Sequence, residues 1–205
     1  MLSASTKVEV EMRSVLKMVA GADGDQLSGK LEDRLKARAS REELLRKALV
    51  QARGTGSPAG PSCHAATLVA RLGAEIESRD AANLRDLTKV VAVSGWPIVD
   101  ASSGPPWYFP VVQHADRQLA EQYRILLQWR PLAATNRVSP KAYAYLYDRV
   151  MLQLRGTQLY GTQFECQGGR YLPSRIEDSD TVDNRRKELG MVPMGKYAEM
   201  LPSTC

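Results

Sequence analysis

Four short polar and aromatic stretches in the C-terminal half carry the residue types that can do chemistry: Gly95-Trp96-Pro97, Gln113-His114-Ala115-Asp116-Arg117, Asp148-Arg149 and Tyr160-Gly161-Thr162-Gln163-Phe164. One of the chain's two histidines lies among them. An imidazole titrates near neutral pH and can both take and give a proton, so His114 is the leading acid/base candidate. Tyr160 and Asp116 are the other candidate catalytic groups. Arg149 and Arg185 offer guanidinium forks that pair bidentately with a carboxylate or another anion. Gln113 and Gln163 supply amides that orient a carbonyl or hydroxyl, and Trp96 is either a stacking platform or a core plug.

This inventory predicts a small enzyme with no organic cofactor, leaning to lyase, isomerase, cyclase or hydrolase chemistry. The substrate class it suggests is an anionic or carbonyl-containing small molecule or a peptide. Without cofactor motifs, a tailoring step in a biosynthetic route is the suggested context. The rival is a noncatalytic binding or regulatory module whose N-terminal helical arm engages a partner, the same polar residues then forming a structural network. An open pocket around His114 favours the first reading and a sealed network the second.

Other chemistries find less support. There is no G-x-G-x-x-G and no Walker loop, so a nucleotide cofactor is not indicated. Cys63, Cys166 and Cys205 are odd in number and lack C-x-x-C spacing, so neither a disulfide framework nor a zinc cluster is expected and each reads as a reduced thiol. The two histidines show no ligand spacing with the aspartates, so no metal site is assigned. His64 stands beside Cys63, but adjacent residues rarely reach each other and nothing nearby completes a triad.

The elements that must position these groups are mostly helical. Val8, Met12, Val15, Leu16 and Val19 recur at helical spacing up to Gly21. Ser40 and Glu43 have the spacing of a capping box ahead of Leu44, Leu45, Ala48 and Leu49, predicting a second helix from Ser40. Residues 53–62 hold glycines and prolines without periodicity and read as a linker. Two further helices are expected over 65–77 and 80–93, and a long one from about Trp107–Pro110 to Arg130, before Pro131.

On that long helix Asp116 and Gln122 fall inside the apolar arc, and His114 on its shoulder. Two residues along a helix point ~160° apart, so Asp116 is not expected to orient His114. A carboxylate buried in the arc needs a partner, with Arg149 and Arg185 as candidates. Ser139-Pro140 opens a helix that Gly156 closes, with Asp148 and Arg149 expected at the border of its packed face. Gln163 to Leu172 reads as a hairpin around Gly168-Gly169, and two short helices over 182–189 and 193–201 finish the chain. The expected fold is mainly α, a compact helical domain with a small C-terminal β-hairpin, organised as an arm (1–53), a linker (54–62) and a body (63–205).

A formal charge of +5 permits an anionic partner, but the arginines are interleaved with acids, which argues against a nucleic-acid interface. No apolar run approaches the ~20 residues of a membrane helix and the start lacks a signal peptide's apolar stretch, so no membrane association and a cytoplasmic location are expected. Oligomeric state is not legible.

The ordered set Asp80-Ala81-Ala82-Asn83-Leu84, Gly95-Trp96-Pro97, Gln113-His114-Ala115-Asp116, Asp148-Arg149, Tyr160-Gly161-Thr162-Gln163, Asp183-Asn184-Arg185-Arg186 and Tyr197 resembles a bacterial family of unknown function, the DUF6624 type. The resemblance covers about residues 80–200 and implies no established activity. It implies that these polar positions belong together as a set, which suits a ligand pocket better than a generic core.

Overall fold

The computed structural model describes the backbone of residues 4–21, 30–54, 62–98 and 105–205. Eight α-helices and one two-stranded hairpin lie among them, so the chain is mainly helical with a small C-terminal β-hairpin. The chain divides between Gly95 and Trp96 into two compact units.

The first unit contains α1 (Ala4–Gly21), α2 (Leu31–Gly54) and α3 (Cys63–Ser94). Ser62 starts α3 by accepting the Ala65 N–H at 3.1 Å, and Gly95, with φ 72°, ends it by donating to the Val91 carbonyl at 2.8 Å. The two helices expected over 65–77 and 80–93 are therefore one. No glycine or proline interrupts Glu77-Ser78-Arg79, Arg79 pairs with Glu75 at 2.6 Å, and Asp80 accepts from Arg46 of α2 at 2.5 Å instead of capping a new helix. Likewise α2 begins nine residues before Ser40, whose hydroxyl, rather than capping, donates to the Lys36 carbonyl at 3.1 Å.

An amphipathic helix must bury its stripe. Here Leu72 and Ile76 of α3 pack with Val8 and Met12 of α1 and with Leu45 and Ala52 of α2. The helix expected to open the body thus belongs with the two N-terminal helices. Most of the expected linker, residues 55–61, lies outside the described residues. The body expected over 63–205 therefore does not pack as one unit, since its first helix packs with the arm. Deleting residues 1–60 uncovers Leu72 and Ile76, each worth roughly 1.5–3 kcal/mol of burial. The truncated chain is expected to aggregate or bind a hydrophobic dye on size-exclusion chromatography; a monodisperse, dye-silent product would mean that residues 63–205 fold without the arm.

The second unit is built on the antiparallel contact of α5 (Leu119–Ala134) with α6 (Pro140–Arg155), braced by the short α4 (Phe109–Gln113). Leu126, Trp129, Val138, Leu146 and Val150 are buried in it. Ser139 caps α6 through the Ala142 N–H at 3.3 Å, and Gly156, at φ 70°, closes it, both as expected.

The long helix expected up to Arg130 is broken. Between α4 and α5 the chain leaves helical geometry at Ala115 (φ −79°, ψ 47°) and makes a 3₁₀ turn over Asp116–Gln118. The break is stabilised by Gln122, fully buried, whose amide donates to the freed carbonyls of Val112 (2.8 Å) and Gln113 (3.2 Å). At its other end α5 runs through Pro131 to Ala134, so close to its terminus that little of the hydrogen-bond ladder is lost.

Strands β1 (Phe164–Gln167) and β2 (Arg170–Pro173) pair antiparallel around Gly168 (φ 59°) and Gly169 (φ 76°), the positive angles a two-residue turn of this hand requires. Helices α7 (Val182–Glu188) and α8 (Met194–Glu199) follow. Cys166 of β1 is joined to Cys205 by a disulfide, against the expectation of three reduced thiols, while Cys63 stays unpaired. A separation of 39 residues has no local spacing to betray it; the tail reaches the hairpin by folding back, with Cys205 N–H donating to the Gly169 carbonyl at 3.2 Å. Disulfides belong to oxidising compartments, which pulls against the cytoplasmic expectation. No helix among the described residues is long and apolar enough to cross a membrane.

Candidate functional site

The site grows from one buried carboxylate. Asp148, expected at the border of a packed face, is fully buried on α6. It accepts from Leu159 N–H (2.8 Å), Tyr160 N–H (2.9 Å), Thr162 N–H (2.9 Å) and Thr162 Oγ1 (2.9 Å). Burial pushes its carboxyl above the usual value, and the four donors act in the opposite direction. The loop between α6 and β1 is thereby folded around a single side chain. Gly161 sits in it at φ 66°, where a Cβ would collide with the end of the Met194 side chain.

Two arginines of α7 hold the same loop from outside. Arg186, 1% exposed, donates to Tyr160 O and Val192 O, each at 2.6 Å, with its guanidinium 4.8 Å over the Tyr197 ring. Arg185 donates to Leu159 O (2.8 Å), Glu177 O (2.7 Å) and Thr181 Oγ1 (2.5 Å). The fork expected to hold an anion or Asp116 is thus engaged by the chain's own carbonyls.

Arg149 is the partner of Asp116. The pairing is bidentate, Nε to Oδ1 at 2.6 Å and Nη2 to Oδ2 at 2.8 Å. Its remaining nitrogen, Nη1, donates to Gln163 Oε1 at 3.3 Å, and Gln163 donates to Thr162 Oγ1 at 3.0 Å. A continuous chain of polar contacts therefore runs from Asp116 through Arg149 and Gln163 to Asp148. The expected burial of Asp116 is not found: its side chain is 46% exposed, because the 3₁₀ turn rotates it out of the apolar arc.

The same break changes the relation between Asp116 and His114. His114 is the half-buried C-cap of α4 rather than part of a continuous helix, so the ~160° separation no longer applies. Partial burial raises the Asp116 carboxyl, but the Arg149 hydrogen bonds and charge outweigh it, with further lowering from His114 and Gln122, so the carboxyl lies below its usual value. The charge of His114 is thus felt at Asp116. Gln113 enters through its backbone, which accepts from Gln122.

A cavity of about 400 Å³ lies between α5, α6 and the 157–163 loop. Of the residues singled out in the sequence only Tyr160 lines it; His114, Arg149 and Gln163 do not belong to its walls. This cavity is thus distinct from the polar network around Asp116 and Asp148, and Tyr160 is the candidate residue that lines it. Trp96 belongs to neither: it packs against Tyr108 and Trp129 at centroid distances of 5.2 and 5.1 Å and donates to Gln128 at 3.0 Å, the core-plug role. His64, in the first unit, meets Glu11 at 3.1 Å.

The sequence reading missed Arg186, Gln158 and the cavity tyrosines. Gln158, 1% exposed, donates to Gln163 O and Ser174 O, both at 2.8 Å, and nothing in its sequence neighbourhood marks that role. Tyr143, Tyr147 and Met151 did carry a signal, since their spacing of four puts them on one face of α6. Among the described residues no group of three or more His, Cys, Asp or Glu side chains is arranged to hold a metal ion.

No curated protein and no solved structure matches the chain. A family model does, and its match begins within α2, well before the segment in which the resemblance was legible. With that match extending over residues 41–204, the chain belongs to the DUF6624 family, a family of unknown function.

Proposed function

We propose that the chain is a small enzyme, independent of organic cofactors, that uses His114 for acid/base chemistry on an anionic or carbonyl-containing small molecule or peptide. The observation that supports this reading best is the bidentate clamp on Asp116, which fixes a carboxylate two residues along the chain from His114, at which the charge of His114 is felt. A carboxylate in that place stabilises the imidazolium formed when His114 takes a proton. Arg149 and Gln163 act as positioning residues rather than as substrate clamps, since their polar groups already hold Asp116 and each other. Proton abstraction and return, as in isomerisation or elimination, is the chemistry this set performs most directly. A tailoring step in biosynthesis is the context we favour. The rival, a partner engaged through the N-terminal helices, is weakened because Val8, Met12 and Leu45 are already covered by packing within their own unit.

The test needs no substrate. Coulombic coupling is reciprocal: if the charge of His114 lowers the Asp116 carboxyl, the charge of Asp116 favours the imidazolium equally. Asp116→Asn is expected to move the His114 ring titration, followed by NMR, to lower pH, because a negative charge that favours the imidazolium is removed. An unchanged titration in a folded Asp116→Asn chain would remove the dyad.

A further inference from the structure

The cavity beside Tyr160 has its own chemistry. Its aromatic wall is Tyr123, Tyr143, Tyr147 and Tyr160; Leu126, Leu127 and Met151 supply aliphatic surface; Arg130 and Arg155 supply charge. A volume of about 400 Å³ is that of a small-molecule site, too small for a folded partner. Tyr123 and Leu127 are 40% and 52% exposed, apolar surface of α5 that no other part of the described unit covers.

The electrostatics select the ligand. The lining contains no aspartate, glutamate, histidine or cysteine. Burial pushes the Tyr143 hydroxyl up and that of Tyr160 up to about 12, so both remain neutral hydrogen-bond donors at physiological pH. Among the described residues Arg130 and Arg155 form no ion pair with an acid, unlike Arg149, which is clamped to Asp116. Two such guanidinium groups beside neutral tyrosines favour an anion and repel a cation. The rings favour a planar partner: Tyr147 and Tyr160 stand edge to face at 5.7 Å, and Tyr143 and Tyr147 lie 6.1 Å apart, an arrangement that offers both faces and edges.

We propose that this cavity binds a small aromatic carboxylate, its ring against the tyrosines and its carboxylate on Arg130 and Arg155. The loop that brings Tyr160 and Leu159 to the cavity is the one folded around Asp148, so the site depends on that anchor. It does not depend on the His114–Asp116 pair, which lies outside the walls.

Calorimetric titration of the full chain with indole-3-acetate tests the proposal, with indole, acetate and tryptamine as controls. Indole-3-acetate is expected to bind with a dissociation constant below about 1 mM, and each control at least about tenfold more weakly, the loss of one charge-assisted pair or of the ring contact. The Arg130→Gln/Arg155→Gln double variant alters two exposed side chains and should keep its melting temperature while losing about tenfold or more in affinity. Absence of binding at 10 mM, tryptamine binding as tightly as the acid, or an unchanged affinity in the double variant would each overturn it. Asp116→Asn should bind the probe like the wild type, so failure of the acid/base reading and failure of this one are told apart.

Discussion

An His114→Ala chain is expected to lose about 10² to 10⁴ in turnover of any substrate processed at this site, the usual consequence of removing a proton-transfer group, while melting at or near the wild-type temperature. The second half of that expectation follows from placement. His114 caps a five-residue helix and is half-buried, and Gln122 holds the turn it sits in through the backbone carbonyls of Val112 and Gln113. His64→Ala is the matched control, because that ring meets Glu11 in the other unit. Partial recovery of His114→Ala by added imidazole would distinguish a lost proton carrier from a lost contact. Full activity in a folded His114→Ala chain would refute the assignment.

What the sequence could reveal about this site follows from the range of the forces involved. Local signals survived: Ser139-Pro140 and Gly156 bound α6, and Gly168-Gly169 turns the hairpin, because caps and turns are decided by a few neighbouring backbone angles. The pairing of Asp116 with Arg149 was reachable as one of two options, since a carboxylate beside an apolar arc calls for a cation. Choosing between Arg149 and Arg185 was not reachable. Arg185 is drawn away by carbonyls at Leu159 and Glu177 that exist only once the loop is folded.

The break at Ala115 illustrates the same point from the other direction. Periodicity alone continues the helix through His114 and Asp116, and only a buried amide on the following helix, Gln122, makes leaving it affordable. That tertiary contact removes the helical geometry that would make the two residues face apart. In α3 the error ran the opposite way: Asp80 has the type of a helix cap, but Arg46 of α2 claims it, and the helix continues. The Cys166–Cys205 bond was invisible for a related reason, as chain return over many residues leaves no spacing to read.

Asp148→Asn is expected to destabilise the C-terminal unit by on the order of 3 kcal/mol, lowering its melting temperature by roughly 10 °C. Four donors converge on the two carboxylate oxygens inside a fully buried site, and an asparagine would present an NH₂ group to some of them. The carboxylate site is fully buried, so the desolvation penalty of the orphaned N–H groups is felt. The consequence should spread in two directions along the loop. Toward Tyr160 it loosens the cavity wall and weakens indole-3-acetate; toward Thr162 and Gln163 it frees the Nη1 contact of Arg149 and with it the alignment of Asp116. Melting followed by circular dichroism reads the first loss, and the His114 titration reads the last. An Asp148→Asn chain that melts like the wild type would mean that the loop keeps its shape without the carboxylate, and Asp148 would then have to be sought a chemical role instead of an architectural one.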